Sequence, residues 1–303
     1  MLIAIVGATG TGKSRLSLQI AALLAADGIG TEVVNADAMQ LYRGMDIGTA
    51  KLRALDRQGV PHHLIDVLDI TDDANVASYQ KAARHAIADI TSRGSIPILV
   101  GGSGLYVSSV LFPFTFPATD AGVRKRLEAE LDRLGPEVLF TRLTTVDAAA
   151  AASIGPHNGR RIVRALEVIE ITGEPFGAGL PDENVMWTPT RIIGVSEERT
   201  ALTARLDRRV ERMWSDGLVR EVRSLLPYGL AESVTASRAI GYAQAIGQIE
   251  GTSTESEAIA QTQALTRKYA RRQVGWFRRY PSVTWLESGH PGAAESAIAT
   301  IKE

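Results

Sequence analysis

The sequence predicts a parallel α/β core with an inserted helical lobe and additional C-terminal helices. Three observations carry that expectation. Short apolar runs alternate with helical spacing over the first hundred residues, the first run ends on a glycine-rich loop, and a proline-bounded stretch interrupts the pattern before another strand returns.

Leu2 to Val6 is a continuous apolar run ending at Gly7, which suits a central parallel strand buried on both faces. From Lys13 to about Ala26, the residues Leu16, Ile20, Leu23 and Leu24 fall at helical spacing, and Gly28 stops the helix. Glu32 to Ala36 reads as a second strand, Ser78 to Arg93 as a helix, and Ile96 to Val100 as a strand that breaks at Gly101-Gly102-Ser103-Gly104. Near Pro113 and Pro117 the pattern changes. Residues 118–187 read as the inserted lobe, helical at first and then loop-like through Gly173, Pro175, Gly177, Gly179 and Pro181. Residues 1–117 and 188–303 form the discontinuous core. Arg191 to Val195 returns to the sheet, and the rest reads as nearly all helix, roughly 199–227, 237–250 and 254–279.

A chain of 303 residues with 45% hydrophobic content can bury a full core. No apolar run approaches the roughly 18 to 20 residues of a membrane span, and the opening MLIAIVGATG lacks the marks of a signal peptide. A cytoplasmic, membrane-free monomer is expected. Cysteine is absent, which excludes disulfides, thiolate nucleophiles and the common structural zinc sites. The adjacent His62 and His63 point in opposite directions on an extended segment and have no third ligand nearby, so they are a poor metal site. The formal net charge is −1, so any nucleic-acid role rests on where charge sits. Acidic residues gather at Asp66, Asp69, Asp72 and Asp73, whereas arginines recur at Arg160, Arg161 and Arg164 and between Arg267 and Arg279.

Gly7-Ala8-Thr9-Gly10-Thr11-Gly12-Lys13-Ser14 matches GxxxxGK[ST] in full, between a predicted strand and helix. Glycines let successive N–H groups converge on phosphate oxygens, Lys13 adds a point charge, and the Ser14 hydroxyl can ligate Mg²⁺. The core is therefore P-loop NTPase-like. The loop by itself specifies a phosphate or diphosphate, not a nucleotide. A kinase of this fold would place an acid at a later strand end to organise Mg²⁺. Here that strand leads into Gly-Gly-Ser, and the acid stands at the end of the second strand as Asp37. Strand C-termini of an open parallel sheet face the ligand crevice, so Asp37 and Ser103 both look toward the loop. Asp37 is a candidate general base, with a turn or capping role as the plainer alternative.

The residues around Asp37, Asn35-Ala36-Asp37-Ala38-Met39-Gln40-Leu41-Tyr42-Arg43-Gly44-Met45-Asp46-Ile47-Gly48-Thr49-Ala50-Lys51, resemble the signature of the bacterial tRNA dimethylallyltransferase family. The resemblance continues through Val60 to Asp66, Gly101 to Tyr106, Asn158, Arg161 and Arg164 to Glu167, Ser237 to Tyr242, and Arg271 to Arg278. It implies that the loop from Gly7 to Ser14 holds the diphosphate of dimethylallyl diphosphate with Mg²⁺, Ser14 being the metal contact. It further implies that the acceptor is the exocyclic amine of an adenine beside the tRNA anticodon.

By the same resemblance Asp37 is the base, Ser103 stands where the family usually has threonine, and Arg124 approaches the reaction centre from the lobe. Ala38, Met39 and Gln40 fall beside the flipped base, although Ala38 replaces a commonly polar residue and Arg160 a common glutamine. Base flipping is the expected access, with Arg160, Arg161, Arg164, Arg238, Gly241, Arg271, Arg272, Gln273 and Arg278 gripping the RNA. Tyr242 and Trp276 either stack on bases or pack against neighbouring helices. On one helix Arg267, Arg271 and Arg278 share a face, as do Lys268, Arg272 and Arg279, giving a broad basic stripe. A small-molecule or nucleotide kinase, an adenylate dimethylallyltransferase and a non-catalytic RNA-binding switch share parts of this pattern. The basic tail and the lobe favour a tRNA acceptor.

Overall fold

The computed structural model describes residues 1–117, 119–177, 184–280 and 282–302. Gly179 and Pro181 of the expected loop lie outside the described residues. The chain divides into two compact units, one of residues 1–112 with 186–303 and one of residues 113–185.

In the larger unit, β1 (Leu2–Gly7) is buried at every position, as its unbroken apolar run requires, and α1 (Lys13–Ala26) follows the glycine loop. Then come β2 (Thr31–Asn35), the two-residue β3 (His62–His63), α2 (Val76–Ser92), β4 (Ile96–Gly101) and α3 (Gly104–Leu111). The smaller unit holds α4 (Ala121–Leu134), α5 (Pro136–Val146), α6 (Ala148–Ile154) and α7 (Gly159–Thr172). The larger unit resumes with β5 (Thr190–Ser196), α8 (Arg199–Ser215), α9 (Leu218–Leu225), α10 (Tyr242–Ile249), α11 (Glu255–Phe277), β6 (Val283–Glu287) and α12 (Ala293–Lys302). The six strands order as β3-β2-β4-β1-β5-β6, and every pairing is parallel.

The tail departs from the expected run of helices. The stretch 199–227 breaks at Gly217, whose φ of +104° ends one helix and caps the next. After α11 the chain returns to the sheet as the edge strand β6, pairing Ile192–Ser196 with Val283–Glu287. Helix α12 then lays Ala294, Ala297 and Ile301 against Leu16, Ile20 and Leu24 of α1. A second core gathers Tyr42, Met45, Val210, Trp214, Leu218, Val222 and Tyr242 beneath α8, α9 and α10. Fully burying one such apolar side chain contributes about 1.5–3 kcal/mol, so each cluster anchors the loops that cross it.

The smaller unit has its own core of Leu127, Leu139, Leu143, Ile162, Val163 and Leu166. At its edge the Glu167 carboxylate, wholly buried, accepts from Arg124 at 2.5 Å, from Arg164 at 2.8 Å and from the Asp120 N–H at 3.1 Å. Burial pushes the Glu167 carboxyl up, but the two guanidiniums outweigh it and hold the group below its ordinary range. Arg124 and Arg164 are thereby engaged inside this unit, and Arg164 also donates to the Pro117 carbonyl.

Candidate active site

The C-terminal ends of β1, β2 and β4 open onto a cavity of about 800 Å³ within the larger unit. Ligands in open parallel sheets bind at that end. Its lining includes Thr9, Gly10, Gly12, Lys13, Ser14, Asn35, Asp37, Gln40, Gly101 and Gly102. The phosphate loop has its shape because Gly7, Gly10 and Gly12 take φ of +143°, +83° and +86°. A Cβ on Gly7 would fall 2.5 Å from the Val195 carbonyl oxygen, so only glycine passes between the strand end and the loop.

Inside the loop, Thr11 Oγ1 donates to the Ala8 carbonyl at 2.9 Å and Lys13 Nζ donates to the same oxygen at 2.7 Å. Burial lowers the Lys13 ammonium to about 8, while Asp37 pulls it upward and Arg209 presses it down. Ser14 is exposed on the cavity. The loop is braced from behind by Gln273 on α11. Its Oε1 accepts from Thr9 N–H at 2.8 Å, and its Nε2 donates to the Gly102 carbonyl at 2.8 Å.

Asp37 caps the short 3₁₀ turn Ala38–Leu41, its Oδ1 accepting from Met39 N–H at 3.0 Å. The side chain of Asn35 holds the backbone on both sides, accepting from Asp37 N–H at 3.0 Å and donating to the Leu64 carbonyl at 2.8 Å. Burial raises the Asp37 carboxyl above its ordinary value, opposed by the Met39 N–H, Lys13 and Arg209. The capping role is therefore present, and the same carboxylate faces two cations in one cavity. Ser103 Oγ accepts from Ala38 N–H and meets Tyr269 Oη, each at 3.4 Å.

Residues expected on an RNA-facing surface divide. Arg160 and Arg161 are exposed at the start of α7, and Arg238, Arg271, Arg272 and Arg278 are exposed in the larger unit. Four others are placed differently. Tyr242 is fully buried and donates to Glu221, so of its two readings packing holds and base stacking does not. Gly241 is buried at the N-cap of α10 with φ of +95°. Gln273 is 4% exposed and occupied with the phosphate loop. Trp276 donates Nε1–H to Ser108 at 3.0 Å and carries the Arg279 guanidinium 4.4 Å over its ring. The basic stripe narrows as well, because Arg267 pairs with Asp207 at 2.6 Å. Met39 packs against the core under α9 and α10, while Gln40 donates to the Thr49 carbonyl at 3.1 Å.

Sequence reading missed three arginines on α8. Arg205, Arg209 and Arg212 are spaced i, i+4 and i+7, which puts them on one face, and all three line the cavity. Arg205 donates to the Gly10 carbonyl at 3.0 Å and pairs with Glu197 at 2.6 Å. Arg209 donates to Thr9 Oγ1 at 3.1 Å, while its buried Nε has no partner among the described residues. A buried guanidinium N–H left without an acceptor is costly unless an anion completes it. The spacing was legible; what it faced was not.

The IPP transferase family model matches residues 40–280. The chain is 58% identical, over 99% of its length and 97% of the relative's, to the tRNA dimethylallyltransferase of Clavibacter sepedonicus. Among solved structures it resembles the full-length tRNA isopentenylpyrophosphate transferase of Bacillus halodurans, with TM-score 0.68, 37% identity and coverage of 100% and 99% of the two chains. It also resembles a eukaryotic dimethylallyltransferase acting on tRNA, with TM-score 0.78, 27% identity and coverage of 95% and 73%. A phosphate loop without a carboxylate after β4, an acid at the end of β2 and these relatives lead to one assignment: the chain belongs to the IPP transferase family.

Proposed function

We propose that the protein transfers a dimethylallyl group from dimethylallyl diphosphate to the exocyclic N6 amine of the adenosine 3′ to the anticodon in tRNA, releasing diphosphate. The observation that carries this reading is the shared cavity of Asp37, Lys13 and the phosphate loop, in a chain 58% identical to a tRNA dimethylallyltransferase.

In the transfer, the allylic C–O bond breaks with its electron pair leaving on diphosphate, and the N6–C bond forms. The loop N–H groups, Lys13 and Arg209 stabilise the departing charge, which is where a dissociating allylic diphosphate needs help most. The adenine amine is a poor nucleophile because its lone pair is delocalised into the ring, so Asp37 orients it and takes its proton. Ser103 Oγ accepts from Ala38 N–H at 3.4 Å, beside the Asp37 turn, which favours an assisting role for its hydroxyl. The family resemblance adds Arg124 to the proposed machinery; within the smaller unit its guanidinium pairs with Glu167 at 2.5 Å.

Ser14 offers one hard oxygen at the cavity, and a diphosphate supplies others, a donor set that fits Mg²⁺. When bound, the metal neutralises leaving-group charge. Exposed Arg160, Arg161, Arg238, Arg271, Arg272 and Arg278 would meet RNA phosphates, and the target base reaches the cavity by leaving its stack. Among the described residues no helix is long and apolar enough to cross a membrane.

The test is mass spectrometry of nucleosides from unmodified tRNA incubated with protein, Mg²⁺ and dimethylallyl diphosphate, beside a reaction with ATP. Dimethylallyl adenosine formed only with the allylic donor supports the reading. ADP formed without that product would move it to a kinase.

A further inference from the structure

Part of the cavity wall is a loop, residues 45–51, without regular secondary structure. Asp46, Ile47, Thr49, Ala50 and Lys51 line the cavity. An irregular loop at such a place is held by whatever satisfies its backbone N–H groups. Here Glu221, in the first turn of α9, accepts from Ile47 N–H at 2.8 Å and Gly48 N–H at 3.4 Å. The same carboxylate accepts from the hydroxyl of buried Tyr242 on α10.

The packing here is close as well as polar. A Cβ on Gly48 would fall 2.3 Å from Tyr242 Cε2 and 3.0 Å from Leu218 Cδ1, so bare backbone at this position lets the loop lie on the ring. What the loop does next reaches the site. Its Thr49 carbonyl accepts from Gln40 Nε2, three residues beyond Asp37. Buried Lys51 ties its end, donating to the Tyr42 carbonyl at 2.8 Å and to Asp46 at 2.7 Å.

We infer that Glu221 is a positioning residue, a latch whose carboxylate fixes the 45–51 wall and through it the Gln40 amide, so that an adenine enters the cavity in one register. The inference rests on the proposed reaction for its substrate and on geometry alone for the latch. It separates this carboxylate from Asp37, because Glu221 acts on backbone and moves no proton in the transfer.

The test compares wild type with Glu221→Ala, Glu221→Gln and Tyr242→Phe. Hydrogen exchange of peptides covering 45–51 reads the latch without any substrate. Loss of bonds to a carboxylate speeds exchange there by about 10- to 100-fold in Glu221→Ala, with β1 and β4 unchanged. Kinetics read the consequence. In Glu221→Ala the kcat/KM for tRNA falls by a similar factor while KM for dimethylallyl diphosphate stays within about threefold. Glu221→Gln, which keeps one acceptor for Ile47, recovers most of both, and Tyr242→Phe falls between.

Unchanged exchange at 45–51 in Glu221→Ala would overturn the latch. Loosened exchange with an unaltered tRNA kcat/KM, or equal loss for both substrates, would overturn the positioning role. An inactive wild type would instead remove the proposed reaction, and the exchange data would still decide the latch.

Discussion

Burial raises the Asp37 carboxyl, and burial lowers the Lys13 ammonium to about 8, so one cavity holds an acid and a base drawn toward neutrality. For activity the signs are opposite. As the proposed base Asp37 acts when ionised, so kcat/KM is expected to fall as pH drops through its raised pKa, and the acid limb to lie above that of an ordinary aspartate. As the proposed cation for the diphosphate Lys13 acts when protonated, so donor kcat/KM is expected to fall again as pH rises past about 8. Lys13→Arg, charged throughout, is expected to lower activity and to remove that alkaline limb; a limb that persists near 8 would assign it to another group. Asp37→Asn is expected to keep tRNA binding while turnover drops about 10²- to 10⁴-fold, read by single-turnover assay. Turnover equal to wild type would take Asp37 out of the mechanism.

At the scale of elements, β4 and β2 bring the two halves of the site together, and the crossing point is Gly101. A Cβ there would fall 2.4 Å from the Ala36 carbonyl oxygen, one residue before Asp37. Backbone cannot yield as a flexible side chain does, so Gly101→Ala is expected to cost about 1–3 kcal/mol of stability and to reduce kcat as the Asp37 turn shifts. Denaturant unfolding measures the first effect and steady-state kinetics the second. Elements with strong local signals were legible, as β1, α1 and β4 show, each an apolar run or period bounded by glycine. The two-residue β3 was not, because it exists only through pairing with Val33 and Val34. Strand β6 was not either, since an edge strand with Trp285 39% exposed carries no continuous apolar run. Gln273 was expected at the RNA and Tyr242 was left between stacking and packing for a related reason: motif membership does not say which side of a helix turns inward.

Across the whole molecule, a net charge of −1 leaves no general attraction for a polyanion, so RNA affinity has to come from local clusters. The cavity was largely legible because its loop and acid are local motifs, whereas the α8 arginines and Glu221 gain meaning only from tertiary placement. The same distinction separates the arginines by task. Arg205 and Arg209 turn into the phosphate loop, while Arg271, Arg272 and Arg278 are exposed around the end of α11. Replacing Arg271 and Arg278 with alanine should therefore weaken tRNA binding while leaving KM for dimethylallyl diphosphate within about twofold of wild type. The diagnostic is salt. Every phosphate of single-stranded RNA that a protein cation neutralises adds about 0.7 to the slope of log affinity against log salt, so the double variant should show a slope shallower than wild type by about 1.4. A weaker affinity with the full slope retained would mean that these arginines shape the helix end and do not touch RNA, and would move the interface to Arg160, Arg161 and Arg238.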